Sequence, residues 1–358
     1  MNSYLAFVRI ALVRIVIVQF VFLIGWCGLA AAPTVPARSV PARTIPTPTT
    51  VSPELQKAIS QPWNGSDWSD PKTNEEWKVR AAERNESMEK SLPGLKERFH
   101  VTLEAGSLGG VRVFRVTPDS IAEENRGRLL VHLHGGAYVY FRGESAAFEA
   151  ILMAHYGKVE VVSVDYRMPP DDPFPAALDD AVAVWKAVVK THSPRNVGLL
   201  GTSAGGGLSL ATVLKLKELK LALPGALMAG TPWADLSKTG DTYFTNEMLD
   251  NVLGTADGRL LAAARLYAGK HDLKEPLLSP VYGDLSGFPP TVLISGTRDL
   301  FLSNTVRTHQ KLLQSGVTTE LLVFEGQSHA QYLVAPDAPE SATAYREVAQ
   351  FFDRNLGK

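Results

Sequence analysis

Short apolar runs alternate with amphipathic stretches through most of this chain. Phe99–Leu103 and Val111–Val116 alternate apolar and polar positions as strands do, and predict a hairpin-like start through a turn at Gly106–Gly110. Near-continuous apolar runs follow, each with a helical stretch after it. Leu129–His134 precedes a helix near Ala146–His155, Val159–Val164 precedes Pro175–Lys190, and Val197–Leu200 precedes Ala204–Lys220. Ala226–Ala229 is followed by a long interruption. Thr291–Ser295 then precedes Ser303–Gln314, and Glu320–Phe324 precedes Ser341–Phe352. Strands apolar on both faces, alternating with helices, predict an α/β chain with a mostly parallel central sheet flanked by helices. Such sheets bind ligands at the C-terminal strand ends, so residues just after strands are the ones to inspect.

The pattern before residue 98 is different. Residues 54–97 read as helical and polar, with Trp63, Trp68, Trp77 and Met88 as scattered anchors. Residues 33–53 hold six prolines and no acid, which predicts an extended, disordered linker that buries too little surface to offset its ordering entropy. Residues 1–32 combine Arg9 and Arg14, an uncharged run from Ile15, and the small residues Ala30-Ala31-Ala32. That order is a secretory signal, and it predicts an exported, periplasmic or secreted protein. The run is also nearly long enough to span a bilayer, so an uncleaved N-terminal anchor is the alternative, and only then is a membrane a partner.

Composition narrows the chemistry. The 358 residues carry a formal charge of −1, which argues against electrostatic nucleic-acid binding. The single cysteine, Cys27, excludes a disulfide framework and a thiolate metal cluster, and cleavage after Ala32 removes it.

Gly201-Thr202-Ser203-Ala204-Gly205 is the one G-x-S-x-G of the chain, and it lies between a predicted strand and a predicted helix. A serine on so tight a turn needs small neighbours, and the turn pushes its hydroxyl into the cleft above the sheet. Ser203 is therefore the candidate nucleophile. His134-Gly135-Gly136-Ala137-Tyr138 follows the strand Leu129–Leu133. The amides of Gly135 and Gly136, with that of Ala204, are the candidate oxyanion donors. Of eight histidines, His329 alone sits in a loop right after the last predicted strand, and it is the candidate base. Asp299, after the strand TVLISG, is the candidate acid, and the order Ser, Asp, His suits this arrangement. Asp235 and Asp272 are weaker alternatives. Asp165 is read as a structural partner for Arg167 or the glycine loop, and Asp179 and Asp180 as a helix-face or loop-pinning pair. Tyr138 and Trp233 are candidates for substrate contact, although packing is the commoner role for aromatic residues.

Together, HGGAY, VDYRMPPDDPFPAALDDAVA, GTSAGG, GTRDLFLSN and EGQSHAQY resemble the hormone-sensitive-lipase group of α/β-hydrolases, the bacterial family IV esterases. The match runs from about Arg128 to the C-terminus, and Thr202 before the serine is similar to the GTSAG-type subgroup. Where members often read A-P-E-H, this chain has Pro169-Pro170-Asp171-Asp172. The resemblance implies an α/β-hydrolase fold over residues 98–358. It implies a helical cap built from residues 54–97 and an insertion at about 232–270. It also implies a carboxylic ester hydrolase acting on small to medium acyl esters or lactones, with a small-molecule substrate and no metal or organic cofactor. An amidase or peptidase with the same triad, and a non-catalytic ligand-binding protein on the same fold, are the alternatives. The sequence sets no oligomeric state.

Overall fold

A computed structural model describes residues 37–63 and 69–357. The expected signal segment and residues 33–36 of the linker lie outside the described residues. Residues 37–44 are exposed, without regular structure, and fall outside the compact unit that starts at Ile45.

Within residues 45–358, eight strands form one sheet in the order β1-β2-β4-β3-β5-β6-β7-β8. They are β1 Val101–Leu108, β2 Val111–Pro118, β3 Leu129–Leu133, β4 Val161–Val164, β5 Val197–Thr202, β6 Ala226–Gly230, β7 Thr291–Gly296 and β8 Thr319–Phe324. β1 pairs antiparallel with β2, and β2 pairs antiparallel with β4. The other pairings are parallel. The opening hairpin turns at Gly109-Gly110 rather than across Gly106–Gly110, and β1 therefore runs on to Leu108.

Period-two side-chain alternation sorts the strand residues onto two faces. Leu129, Val131 and Leu133 of β3 join one core cluster, whereas Leu130 joins the other. The first cluster packs against helices α4 (Ala176–Val188), α5 (Ala204–Glu218) and α8 (Leu302–Gln314). The second packs against α3 (Phe148–Gly157) and α10 (Pro339–Asn355). Both faces are thus covered, as the continuous apolar runs require.

Two helices precede the sheet. The shorter, α1 (Pro53–Ile59), starts with Ser52 capping the N–H of Leu55 and with Pro53 in its first turn. The longer, α2 (Asn74–Arg98), starts with Thr73 capping the N–H of Glu76. Between β6 and β7 lie the short α6 (Thr242–Thr245), a loop, and α7 (Arg259–Ala268). A last short helix, α9 (Gln331–Val334), follows β8.

The linker expected over 33–53 needs correction at its C-terminal end. The Pro46 carbonyl accepts from Arg298 at 2.6 Å, and the Ser52 N–H and hydroxyl both donate to Glu340, at 2.7 Å each. Val51 packs against a small cluster of Leu55, Ile59 and Ala338. The Val51 and Pro48 side chains and these three hydrogen bonds dock a segment that composition alone reads as free.

Candidate active site

Ser203 sits between β5 and α5 with φ 62° and ψ −121°, a strained conformation for a residue with a side chain. Two flanking bonds hold it there: the Ser203 N–H donates to the Gly230 carbonyl at 2.8 Å, and the Ser203 carbonyl accepts from Trp233 N–H at 2.9 Å. The turn also needs glycine close by. A Cβ on Gly205 would stand 1.9 Å from the Leu133 carbonyl oxygen, and one on Gly201 would stand 2.3 Å from it.

The loop after β8 brings His329 to this serine, with Nε2 2.9 Å from Ser203 Oγ. The loop after β7 brings Asp299 to the other side of the ring, with Oδ1 3.0 Å from Nδ1. With Nδ1–H donating to the carboxylate, Nε2 accepts from the serine hydroxyl. Asp299 is fully buried and further held by Ser295 Oγ at 2.6 Å and Phe301 N–H at 2.8 Å. Phe301 packs edge-on against the His329 ring, with centroids 4.8 Å apart. Three residues that stand far apart in sequence therefore meet as one hydrogen-bonded line.

Gly135 and Gly136 follow β3 beside the serine. Gly136 adopts φ +109°, and a Cβ on Gly135 would lie 3.5 Å from Ser203 Cβ. Among the described residues, the N–H groups of Gly135, Gly136 and Ala204 make no backbone hydrogen bond in a turn, loop or cap. His134 stacks on Tyr166 with ring centroids 4.1 Å apart, and its Nδ1 donates to the Gly135 carbonyl at 2.7 Å. Burial pushes the His134 imidazole down to about 3 against the partial support of that bond, so the ring is neutral.

The triad opens into a cavity of about 220 Å³. Its floor includes Gly135, Gly136 and Ser203, and its walls include Met88, Phe141, Phe148, Leu253, Leu260 and Leu333. Met88 comes from α2, and Leu253 and Leu260 come from the segment between β6 and β7. Both stretches expected to cover the site thus contribute walls.

Tyr138 and Trp233 are corrected here. Both are fully buried, and neither lines the cavity. Tyr138 stacks on Tyr267 at 3.7 Å, and Trp233 stacks on Phe301 at 5.5 Å. Each side chain turns into the core, where such rings bury the most apolar area. The aromatic residues that do face the cavity are Tyr140, Phe141 and Phe148. Asp165 is corrected as well. It pairs with Arg112 and accepts from the Gly143 N–H at 3.0 Å, whereas Arg167 pairs with Asp180 at 2.8 Å. The loop-pinning role expected of Asp180 is therefore directed at Arg167. Asp235 is engaged by Arg307 and Tyr282 and does not meet His329.

Sequence reasoning also missed Glu149, which lies buried against Thr202 at the nucleophile turn. One of its oxygens accepts from Thr202 Oγ1, and the other lies 3.0 Å from His132 Nε2. A lone acid on the otherwise apolar helix α3 was the signal that could have found it.

A family model for the alpha/beta hydrolase fold matches residues 130–333, which contain the serine, the acid and the base. The chain belongs to this family. Over 233 residues the hydrolase is 34% identical to an acetyl-hydrolase of Streptomyces hygroscopicus, a match covering 65% of this chain and 77% of the relative. It is 29% identical over 240 residues to an esterase of Acinetobacter venetianus, covering 64% and 76% of the two chains. The crystal structure of an esterase E25 superposes with a TM-score of 0.86 at 44% identity, covering 90% of this chain and 99% of the other. The crystal structure of an esterase from the bacterial hormone-sensitive lipase family gives a TM-score of 0.74 at 27% identity, covering 86% and 99%. A serine, a histidine and a buried aspartate in this geometry, on a chain with these relatives, make a serine hydrolase for ester substrates.

Proposed function

We propose that this hydrolase cleaves carboxylic esters, or lactones, with small to medium uncharged acyl groups, through an acyl-enzyme on Ser203. His329 Nε2 takes the Ser203 proton as Oγ attacks the ester carbonyl. Asp299 holds the imidazole in the required tautomer and stabilises its charged form. The amides of Gly135, Gly136 and Ala204 receive the oxyanion. The alcohol leaves with the proton from His329, and water then releases the acid by the reverse route. The hydrogen-bonded line Ser203–His329–Asp299, open to an apolar cavity, carries this reading. The cavity walls support the acyl preference, since most of the side chains facing it are apolar and its volume suits a small to medium acyl group.

Finer assignments extend the same reading. Gly201-Thr202-Ser203-Ala204-Gly205 supports placement in the GTSAG-type subgroup. The walls supplied by α2 and by the segment before β7 support a helical cap over residues 54–97 and about 232–270. The basic, apolar and small-residue order of residues 9–32 supports export.

Ser203→Ala is expected to lower turnover of a p-nitrophenyl short-acyl ester on the order of 10⁶-fold and to abolish labelling by a phosphonate. Retention of full activity would overturn the proposal.

A further inference from the structure

Asp250 is fully buried in the loop between α6 and α7, outside the three residues that carry the chemistry above. Among the described residues, its hydrogen bonds all come from backbone N–H groups. One oxygen accepts from Val252 at 2.9 Å and Leu253 at 3.0 Å. The other accepts from Leu300 at 2.8 Å and His329 at 3.2 Å. Leu300 is the residue after Asp299, and Val252 and Leu253 line the cavity. One carboxylate thus joins the acid loop, the base loop and the substrate-facing wall. The next residue, Asn251, reinforces the joint: its N–H and Oδ1 both bond Ser328 Oγ, and its Nδ2 donates to the carbonyls of Ala58 and Gln61.

We infer that Asp250 is a positioning residue, which sets the His329 and Asp299 loops in register with the cavity wall. The inference rests on the triad assigned above. Asp299 and His329 are the titratable groups that face Asp250. Burial and the charge of Asp299 push its carboxyl up to about 6, while His329 and the N–H groups of Leu253 and Leu300 pull it down. At neutral pH it is ionised, and that form alone accepts all four N–H bonds on bare oxygens. Protonation of Asp250 turns one of these acceptor oxygens into a donor and loosens the joint, so its own titration contributes to the acidic limb of activity.

Asp250→Asn keeps the size, removes the charge and turns an amide NH₂ toward two N–H donors. It is expected to lower kcat about 10- to 100-fold, as a small misplacement of catalytic groups does, with KM changed by no more than a few fold. The acidic limb of the kcat/KM–pH profile is expected to move to lower pH, which a purely structural role would not produce. Asp250→Glu keeps the charge and shifts the acceptors, so kcat is expected to fall while the limb stays in place. Phosphonate titration counts intact sites in each preparation, so kcat is read per folded enzyme. Wild-type kcat in Asp250→Asn, or a lowered kcat with an unmoved limb, would overturn the inference. Should Asp250→Asn not fold, Asp250→Glu decides alone: wild-type kcat, or a displaced limb, overturns it. Activity in Ser203→Ala would instead overturn the triad reading itself, so the two failures are distinguishable.

Discussion

The hydroxyl of Tyr332 lies 2.6 Å from Oγ1 of Thr202, the residue immediately before Ser203. Tyr332 is in α9, directly after the His329 loop, so this bond ties the base segment to the nucleophile turn. Thr202 donates onward to Glu149, which is also bonded to His132 in the strand leading to Gly135. The segments that carry the base, the nucleophile and the oxyanion loop therefore share one buried polar network.

Tyr332→Phe removes the first of these bonds and leaves the ring in place. Burial holds the Tyr332 phenol well above its ordinary value, so the group removed is a neutral hydroxyl. The variant is expected to lose about 1–2 kcal/mol of stability, the usual net worth of a buried hydrogen bond with some desolvation cost. A few-fold fall in kcat should accompany it, because two loops lose their link. Urea midpoints together with initial rates check both. Unchanged values would remove the network from the account of the site.

Gly205→Ala tests the tight approach of the nucleophile turn to β3. The added Cβ would stand 1.9 Å from the Leu133 carbonyl and 2.7 Å from that of His134, both rigid backbone. Either the turn or the oxyanion loop must move. The expected cost is about 3 kcal/mol or more, at the severe end of overpacking, with loss of most activity. Gly110→Ala is the control: nothing lies within 4 Å of its Cβ, and its φ of +84° should cost only about 1–2 kcal/mol with activity kept. Thermal melts and ester turnover distinguish the two variants.

His134 makes stability depend on pH in a set direction. Its folded value of about 3 lies below its ordinary value of 6.5. Between those values the unfolded chain binds a proton that the folded chain refuses, so stability falls as pH drops from 6.5 toward 3, by up to about 1.4 kcal/mol per pH unit. Asp250 acts in the opposite sense. Its raised folded value of about 6 means that protonation below pH 6 relieves a cost of folding, so it partly offsets the loss down to its ordinary 3.8. His134→Asn removes the first contribution alone. Relative to its value at about pH 7, the urea midpoint at about pH 5 should be higher in the variant than in the wild type, because the Asp250 contribution is then unopposed. An equal difference in both would show that His134 is not protected from protonation.

The triad was legible because each member announces itself locally. Ser203 needs small neighbours on both sides, and Asp299 and His329 each follow a strand whose apolar run is plain in sequence. The partners of those residues were not legible. Asp250 carries no local signature, since its four donors come from Val252–Leu253, Leu300 and His329, which only the closed fold brings to one point. Tyr138 and Trp233 were misread for the same reason. Their position in a loop after a strand is visible, but the direction of the ring is decided by Tyr267 and Phe301, which stand far along the chain.

By itself, the sequence determined the parallel sheet, the strand-to-helix turn at Ser203 and the order of nucleophile, acid and base. Apolar periodicity and the steric needs of a tight turn act over a few residues, and they survive without knowledge of the rest. Only the tertiary structure decided which side chains wall the cavity, that Arg112 rather than Arg167 holds Asp165, and that residues from Pro46 are docked. Those outcomes depend on contacts between residues distant in sequence, whose partners are chosen by the packing of whole elements.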